Sequence, residues 1–399
     1  MSAPSVTSPS RVASRLRPFG GTIFTEMTLL ARKHGAVNLG QGAPDFDGPD
    51  FVKDAGIKAI RQGHAQYARM FGVPELNAAI AARFRQDCGL EVDPETEVTV
   101  TSGCTEAIAA TMLGLLEPGD EVILIEPFYD SYPATVAMAG GTVRAVTLRP
   151  PTFALDVAAL RAAVTSKTRA ILVNTPHNPT GHVFTRAELE AIAALCRERD
   201  LLCFSDEVYE RLVFEGEHLS IATFPGMRER TVTWSSLGKT YSLTGWKIGW
   251  AIAPPALTAG IRAAHQFLTF ASATPLQHGA AAALASGSEY DRAFLDDYRR
   301  RRTMLLDGLR AAGFTAFAPD GSYFIMADHS AFGFADDRAF CHYLVAEIGV
   351  AAIPPASFYL NPADGRSLVR FAFCKKDETL RAAIERLATL RTKRPPRSV

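Results

Sequence analysis

The chain has 399 residues, of which 47% are hydrophobic and 21% are charged, and its 42 basic side chains balance 42 acidic ones. A net charge of zero excludes a general attraction to nucleic acid or to an anionic membrane surface, and no apolar run approaches the roughly 18 residues that a membrane span needs. A chain of this length is too long for one small core and predicts two domains.

Predicted strands and helices alternate between about residues 95 and 255, which is typical of a mainly parallel sheet covered by helices. Beyond about residue 286 the pattern changes to a long charged helix over 289–311, then short strands and a final helix from residue 377. We therefore predict a large domain over 47–285 and a small domain over 286–399, which is joined by the N-terminal arm, 1–46. The buried strands of the large domain are predicted over 97–100, 121–125, 170–173, 201–204 and 232–234.

The cysteines, the histidines and the chain ends bear on the compartment. The six cysteines form no C-x-x-C pair, which favours a reducing, cytoplasmic environment, and the nine histidines show no metal-ligand spacing, so no metal site is expected. The first 20 residues contain arginines and serines but no acid, a composition found in transit peptides. We nevertheless interpret this segment and the basic end over 391–399 as short solvated tails.

Polar segments follow three of the predicted strands: NTPHNPTG at 174–181, DEVY at 206–209, and SSLGK at 235–239, which continues to GWKIG at 245–249. Because the carboxyl ends of parallel strands face the crevice in which ligands bind, an amide, a carboxylate, a phenol and an amine would converge there. An amine for an aldehyde, a carboxylate for a ring nitrogen and donors for a ring oxygen are what pyridoxal phosphate requires. The sequence therefore predicts a site for this cofactor.

These segments, with NLGQG at 38–42, EPFY at 126–129 and VRF at 369–371, identify a family. Over about residues 15 to 386 the chain resembles the class I aminotransferases, which are fold-type I enzymes that use pyridoxal phosphate. It is most similar to the kynurenine and glutamine-phenylpyruvate (cysteine-conjugate lyase) branch and its bacterial relatives, which include succinyldiaminopimelate aminotransferases. The resemblance implies an α/β fold, in which helices sandwich a mainly parallel sheet in a large domain and a smaller α+β domain follows.

The resemblance implies roles for the reacting groups. Lys239 would form the Schiff base with the cofactor and afterwards move a proton; most lysines lie exposed in loops, but the flanking SxGK and GWKxG favour catalysis. Asp206 would pair with the pyridine nitrogen, although an aspartate there could instead cap a helix. Tyr209 and Asn178 would donate hydrogen bonds to the ring oxygen.

The phosphate site is expected where a strand ends and a helix begins, because backbone amides at a helix N-terminus bind anions. In the turn SGCT at 102–105, Gly103 would allow close approach, and Cys104 and Thr105 would offer their amides. Ser236 and Lys247 match the family's phosphate-binding hydroxyl and cation. Several relatives have arginine in place of Lys247, so the charge is kept while the bidentate fork is lost.

Further residues would contact the ring, the substrate and the neighbouring subunit. Phe128 matches the aromatic that stacks on the pyridine ring, with core packing as the alternative. Arg370 in its apolar strand would bind the substrate's α-carboxylate, with a structural salt bridge as the alternative, and Gly42 matches a backbone contact to the same group. Tyr67 matches a tyrosine that reaches the neighbour's cofactor phosphate, which implies a homodimer with shared active sites.

The function implied is transfer of an amino group from an L-amino acid to a 2-oxo acid. Phe24 and Phe270 match residues of the side-chain pocket and favour neutral aromatic or sulfur-containing substrates of the kynurenine, phenylalanine, methionine or glutamine type. Arg69 could instead serve a distal carboxylate, as a succinyldiaminopimelate-type substrate would need. A cysteine-conjugate β-lyase using the same lysine and cofactor is a second alternative. A non-catalytic ligand-binding protein is a third, against which Lys239, Asp206 and Arg370 together argue.

Overall fold

The computed structural model describes residues 11–392, so the ends 1–10 and 393–399, which include most of the predicted tails, lie outside the described residues. The strands are β1 (Val37–Asn38), β2 (Val98–Ser102), β3 (Glu121–Glu126), β4 (Thr142–Thr147), β5 (Thr168–Asn174), β6 (Leu202–Asp206), β7 (Thr231–Ser236), β8 (Ile248–Ile252), β9 (Thr315–Ala316), β10 (Phe324–Asp328), β11 (Val350–Ala351) and β12 (Leu368–Ala372). The helices are α1 (Ile23–His34), α2 (Asp50–Arg61), α3 (Pro74–Cys88), α4 (Gly103–Leu115), α5 (Ser131–Met138), α6 (Val157–Ala163), α7 (Arg186–Arg199), α8 (Leu237–Thr240), α9 (Pro255–Leu268), α10 (Thr274–Leu284), α11 (Ser288–Ala312), α12 (Asp337–Tyr343) and α13 (Asp377–Leu387).

A central sheet of seven strands, counted over the described residues, has the order β2-β8-β7-β6-β5-β3-β4. Strands β7, β6, β5, β3 and β4 run parallel to their neighbours in this part of the sheet, and β8 runs antiparallel to both β7 and β2. The mainly parallel α/β sheet predicted from the sequence is confirmed. Its carboxyl edge brings together the ends of β5, β6 and β7, where the three polar segments begin.

Both faces of the central sheet are covered, which explains why its strands read as continuous apolar runs. Along β5, Ala170 and Leu172 face one core cluster, which also contains residues of α4, α5 and α9. The alternate residues, Ile171 and Val173, face a second cluster with residues of α6 and α7. Successive strand side chains point to opposite faces, so the helices sandwich the sheet.

The C-terminal part of the chain forms smaller sheets that include the N-terminal arm. Strand β10 pairs antiparallel with both β12 and β9, and β1 of the arm pairs parallel with β11. The long charged helix expected over 289–311 is α11, and the final helix begins at Asp377 as expected. The arm therefore packs with the C-terminal part, while the domain boundaries 1–46, 47–285 and 286–399 stay a prediction.

Among residues 11–392, no helix is both long enough and apolar enough to cross a membrane. All six cysteines are free thiols within this range, and four of them are buried.

Candidate active site

A cavity of about 400 Å³ opens at the carboxyl edge of the central sheet, between the sheet and the C-terminal part of the chain. Most of the residues that the sequence assigned to the site converge there. It is lined by Phe24, Gly42, Gly103, Cys104, Thr105, Asn178, Asp206, Tyr209, Ser236, Lys239, Lys247 and Arg370. Phe128, Tyr67 and Phe270 do not line it.

Lys239 lies on the short helix α8, directly after β7, so its amine reaches the cavity from the sheet edge. Burial lowers the pKa of this amine, which favours the neutral form that a nucleophile or base needs. Its Nζ donates a hydrogen bond of 3.2 Å to the hydroxyl of Tyr323, which in turn donates to the carbonyl of Gly42 at 2.7 Å. Tyr323 thus connects the amine to the segment predicted to contact substrate.

Asp206 ends β6 with only 4% of its surface exposed. The hydroxyl of Tyr132 donates to its Oδ2 at 2.7 Å, and the amide of Val208 donates to its Oδ1 at 3.2 Å. Burial nevertheless raises the pKa of the carboxyl to about 6, because these hydrogen bonds and the Lys239 charge only partly offset desolvation. A buried carboxylate of this kind is stabilised by a cationic partner, and a protonated pyridine nitrogen is one.

The turn between β2 and α4 forms a cradle for an anion. Gly103 has a φ of +74°, and a Cβ there would lie 3.1 Å from the Lys247 amine, so the turn and the cation are closely apposed. Lys247 itself adopts a left-handed φ of +53°, and its Nζ donates to Thr105 Oγ1 at 3.4 Å. A Cβ at Gly249 would clash with the amide nitrogen of Cys104, so β8 supports the turn from behind.

Arg370 is 1% exposed in the middle of β12. Its Nη1 donates to Asn178 Oδ1 at 3.0 Å and its Nη2 to the carbonyl of Gly40 at 2.9 Å. Its buried Nε has no hydrogen-bond partner among residues 11–392. Burial lowers the pKa of the guanidinium to about 10, and its neighbours include the ring of Phe324, whose centroid is 4.2 Å away. A buried guanidinium with neutral partners is a strong carboxylate receptor.

The assignment of ring stacking to Phe128 is corrected. Phe128 is 3% exposed in the hydrophobic core beside the sheet, and its amide donates to the carbonyl of Phe358 at 2.9 Å. The next residue, Tyr129, lines the cavity instead. The motif EPFY contains two adjacent aromatics that face different surroundings, and the motif alone did not show which of them faces the cavity.

Tyr67 and Phe270 pack together on the surface, away from the cavity lining. Tyr67 is 86% exposed, and its ring meets that of Phe270 edge-on with centroids 5.5 Å apart. Arg69, the candidate for a distal carboxylate, is already engaged: its Nη1 donates to both carboxylate oxygens of Glu95, and its guanidinium lies 4.4 Å from the Phe71 ring centroid. The roles of Tyr67 and Phe270 in a neighbouring site stay a prediction.

Sequence reasoning missed Tyr132, Tyr323 and Asn174, which surround the reacting groups. Asn174 Oδ1 accepts from the amide of Asn178 at 2.7 Å and so shapes the 174–181 turn. Tyr132 and Tyr323 are distant in sequence from the groups they contact, 74 and 84 residues respectively. Asn174 could have been found, since it opens a motif already singled out, whereas no local pattern distinguished the two tyrosines.

The residues fit pyridoxal phosphate: one cavity is surrounded by an amine, a glycine turn facing a lysine, a buried carboxylate and a guanidinium. Among residues 11–392 the carboxylate forms no ion pair and one donor of the guanidinium has no partner. A family model described as "Aminotransferase class I and II" matches residues 34–387. The chain belongs to the class I and II aminotransferases. Pyridoxal phosphate is therefore its cofactor, and Lys239, Asp206 and residues 103–105 line the cavity.

Named relatives of this aminotransferase span nearly its whole length. A probable N-succinyldiaminopimelate aminotransferase of Mycobacterium tuberculosis is 49% identical over 389 residues, which cover 94% of this chain and 98% of that protein. The methionine aminotransferase of Escherichia coli is 42% identical over 378 residues, with 94% and 98% covered. The solved structure of N-succinyldiaminopimelate aminotransferase from Mycobacterium tuberculosis superposes with a TM-score of 0.93 at 50% identity, covering 95% of this chain and all of that one.

Proposed function

We propose that this aminotransferase takes the amino group from a neutral aromatic or sulfur-containing L-amino acid and transfers it to a 2-oxo acid. Arg370 carries the proposal, because it lines the cavity, its guanidinium donates to two neutral acceptors, and its Nε has no hydrogen-bond partner among residues 11–392. Over residues 11–392, the cations that line the cavity are Lys239, Lys247 and Arg370. The cofactor and the α-carboxylate would engage all three, so a second substrate carboxylate would find no partner within the chain.

Each group then has a distinct task. When bound, pyridoxal phosphate supplies an aldehyde for the amino group and a ring that accepts the electrons of the bond broken at Cα. Burial makes the amine of Lys239 less basic. This amine would bind the aldehyde and would later move the proton released at the substrate's Cα. Asp206 keeps the ring nitrogen protonated, and Tyr209 and Asn178 donate to the ring oxygen.

The phosphate and the substrate have their own partners. The phosphate is bound by Ser236, Lys247 and the amides of the 102–105 turn. Arg370 and Gly42 orient the α-carboxylate, Tyr129 contacts the ring in place of Phe128, and Phe24 lies beside the substrate.

A second candidate substrate is N-succinyldiaminopimelate, favoured by the 49% identity to the relative of that name. Its distal carboxylate would require a further cation. Arg69 is the candidate, but in this chain Glu95 neutralises it at 2.8 Å. The neutral substrates therefore agree better with the charges around the cavity.

We expect kcat/KM for phenylalanine and methionine to exceed that for aspartate and N-succinyldiaminopimelate. Burying an apolar side chain gains about 1.5–3 kcal/mol, so the preference should be roughly tenfold to a hundredfold. The measurement crosses a panel of amino donors with 2-oxo acids and follows both half-reactions spectrally. Turnover without a 2-oxo acid, with release of pyruvate and ammonia, would instead reveal a β-lyase.

A preference for N-succinyldiaminopimelate would overturn the neutral-substrate proposal and make Arg69 the next residue to test. Arg69→Ala should then lower kcat/KM for that substrate alone. Arg85→Ala is the matched control, because Arg85 is another exposed arginine paired with a glutamate, Glu91, at 3.2 Å.

We also propose a homodimer with shared active sites in a cytoplasmic, reducing compartment. The scattered free cysteines support the compartment. The exposed apolar side chains of Tyr67, Phe267 (84% exposed) and Phe270 support an interface, because contiguous exposed apolar groups mark association surfaces. Tyr67 would then reach the partner's cofactor phosphate, and Phe270 the partner's substrate.

Mixing two inactive variants tests the shared site. When Tyr67→Ala and Lys239→Ala subunits exchange, one site of each mixed dimer receives both defects and the other receives neither. Random exchange should restore roughly a quarter of wild-type activity, since about half the dimers are mixed and each has one intact site. The readout is activity after subunit exchange relative to the two variants assayed separately. A fully active monomer, or mixtures that gain nothing, would contradict the shared site.

A further inference from the structure

A buried histidine contacts Glu106, which is bonded to the turn at 102–105 that we propose binds the phosphate (the phosphate turn). His265 on α9 has no exposed surface, and its two ring nitrogens face two acceptors: Glu106 Oε1 at 2.6 Å from Nδ1 and the carbonyl of Met70 at 2.7 Å from Nε2. Both contacts are hydrogen bonds only if both nitrogens carry protons, because a carbonyl and a carboxylate can only accept. Burial opposes ionisation of Glu106, but hydrogen bonds from His265 and two further donors lower its pKa, so this carboxyl is ionised. With an ionised Glu106, the geometry favours the imidazolium form. The Glu106 carboxylate raises the pKa of His265 even though burial opposes it.

Glu106 is the acid of this pair, and it touches the phosphate turn itself. It lies in the first turn of α4, is 8% exposed, and its Oε2 accepts from the amide of Ser102, the residue that precedes the helix. Thr269 also donates its hydroxyl to Oε1. A buried carboxylate thus lies in the same helical turn as the amides proposed to bind a phosphate, which itself carries about two negative charges at neutral pH.

The other partner of His265 belongs to the segment that carries Tyr67. Met70 follows Tyr67 by three residues, and the same segment is fixed by Arg262 of α9, whose guanidinium stacks 4.0 Å from the Phe71 ring centroid. At the end of α9, the amide of Phe270 donates to the carbonyl of His265, and Phe270 adopts a left-handed φ of +66° against Tyr67. One imidazolium therefore contacts both Glu106, which accepts from the Ser102 amide of the turn, and Met70, which lies in the segment that carries Tyr67.

We propose that His265 is a positioning residue that neutralises Glu106 beside the phosphate turn and joins that turn to the segment carrying Tyr67. Without this cation, Glu106 would be a buried like charge next to the cofactor phosphate. The role is separate from catalysis, since His265 does not line the cavity. The inference rests on the phosphate-binding role proposed above for the 102–105 turn.

The test separates phosphate binding from folding. The full-length chain is stripped of cofactor and titrated with pyridoxal 5′-phosphate and with pyridoxal, which lacks the phosphate. The Kd for pyridoxal divided by the Kd for pyridoxal 5′-phosphate is the ratio that reports the phosphate contribution. In His265→Gln the ratio should fall on the order of tenfold to a hundredfold, the size of a nearby like-charge interaction at an effective dielectric of about 20. A merely structural role would weaken both ligands equally and leave the ratio unchanged.

A compensating variant makes the charge argument falsifiable. Glu106→Gln combined with His265→Gln removes both charges, so it should regain most of the lost ratio. His329→Gln is the matched control and should keep the wild-type ratio, because His329 is a buried histidine that donates to the carbonyl of Arg366 far from the turn. If His265→Gln does not fold, Thr269→Val removes one donor to Glu106 and should lower the ratio a few-fold.

The outcomes separate the two proposals. A wild-type ratio near one would overturn both the phosphate turn and this inference. Two other outcomes would overturn only the role of His265. In one, the wild-type ratio is high and His265→Gln keeps it. In the other, the double variant has a ratio as low as that of His265→Gln alone. Hydrogen exchange of the intact holoenzyme adds a second readout: His265→Gln should lose protection at the Ser102 amide and in the segment around Met70 together.

Discussion

Lys239→Ala should abolish both transamination and the bond between protein and cofactor that borohydride reduces. Lys239 is the lysine whose amine lies in the cavity with its pKa lowered by burial, next to the hydroxyl of Tyr323. The variant should still bind pyridoxal phosphate, because the phosphate turn, Asp206 and Asn178 remain. We expect a rate loss of at least about 10³-fold, comparable to removing a covalent and proton-transferring group elsewhere.

Mass spectrometry of reduced wild-type enzyme supplies the check, since the pyridoxyl label should be found on the peptide that contains Lys239. Lys375→Ala serves as the control. Lys375 is also a buried lysine, at 5% exposed, but its amine donates to the carbonyl of Ala43 at 2.6 Å. That variant should keep the label at Lys239, whereas a label on any other lysine of the wild-type enzyme would refute the assignment.

The sequence predicted best those cavity residues that lie at or just after the ends of strands. Asp206 ends a buried parallel strand, and Asn178 and Lys239 come shortly after two others, so the apolar runs and the rule for carboxyl ends were enough to bring them together. The same logic placed Gly103 at a strand-to-helix junction. These residues are predictable because their positions follow from secondary structure.

The remaining contacts depend on packing between distant segments, which a single sequence does not encode locally. Phe128 and Tyr129 are adjacent aromatics, and only the path of the loop after β3 decides which ring faces the cavity. Arg69 was a candidate for a substrate carboxylate because its partner Glu95, 26 residues away, could not be identified beforehand. His265 gave no signal, since its importance arises from acceptors 159 and 195 residues away.

We expect the buried charge of Asp206, which we propose serves catalysis, to destabilise the cofactor-free fold. Its carboxyl pKa is about 6 in the folded chain against an ordinary value of 3.8, because burial disfavours the charge. The folded state therefore holds the proton more tightly than the unfolded state, and stability falls as pH rises from about 4 through about 6. Above that window the full penalty applies, on the order of 2–3 kcal/mol.

Asp206→Asn should consequently make the cofactor-free protein more stable at about pH 8, by roughly 2–3 kcal/mol, with the difference vanishing near pH 4. The amide oxygen can still accept from the Val208 amide, and the Tyr132 hydroxyl can rotate to accept from the new NH2 group, so the change removes mainly the charge. In the holoenzyme the same variant should lose the partner of the ring nitrogen, worth roughly 2–4 kcal/mol, and turn over about 30- to 1,000-fold more slowly. Thermal unfolding without cofactor at both pH values, and single-turnover rates with it, measure the two effects. Asp206→Glu, which keeps a carboxylate, should recover part of the rate without the gain in stability. An Asp206→Asn enzyme within threefold of the wild-type rate would show that the carboxylate has only a structural role.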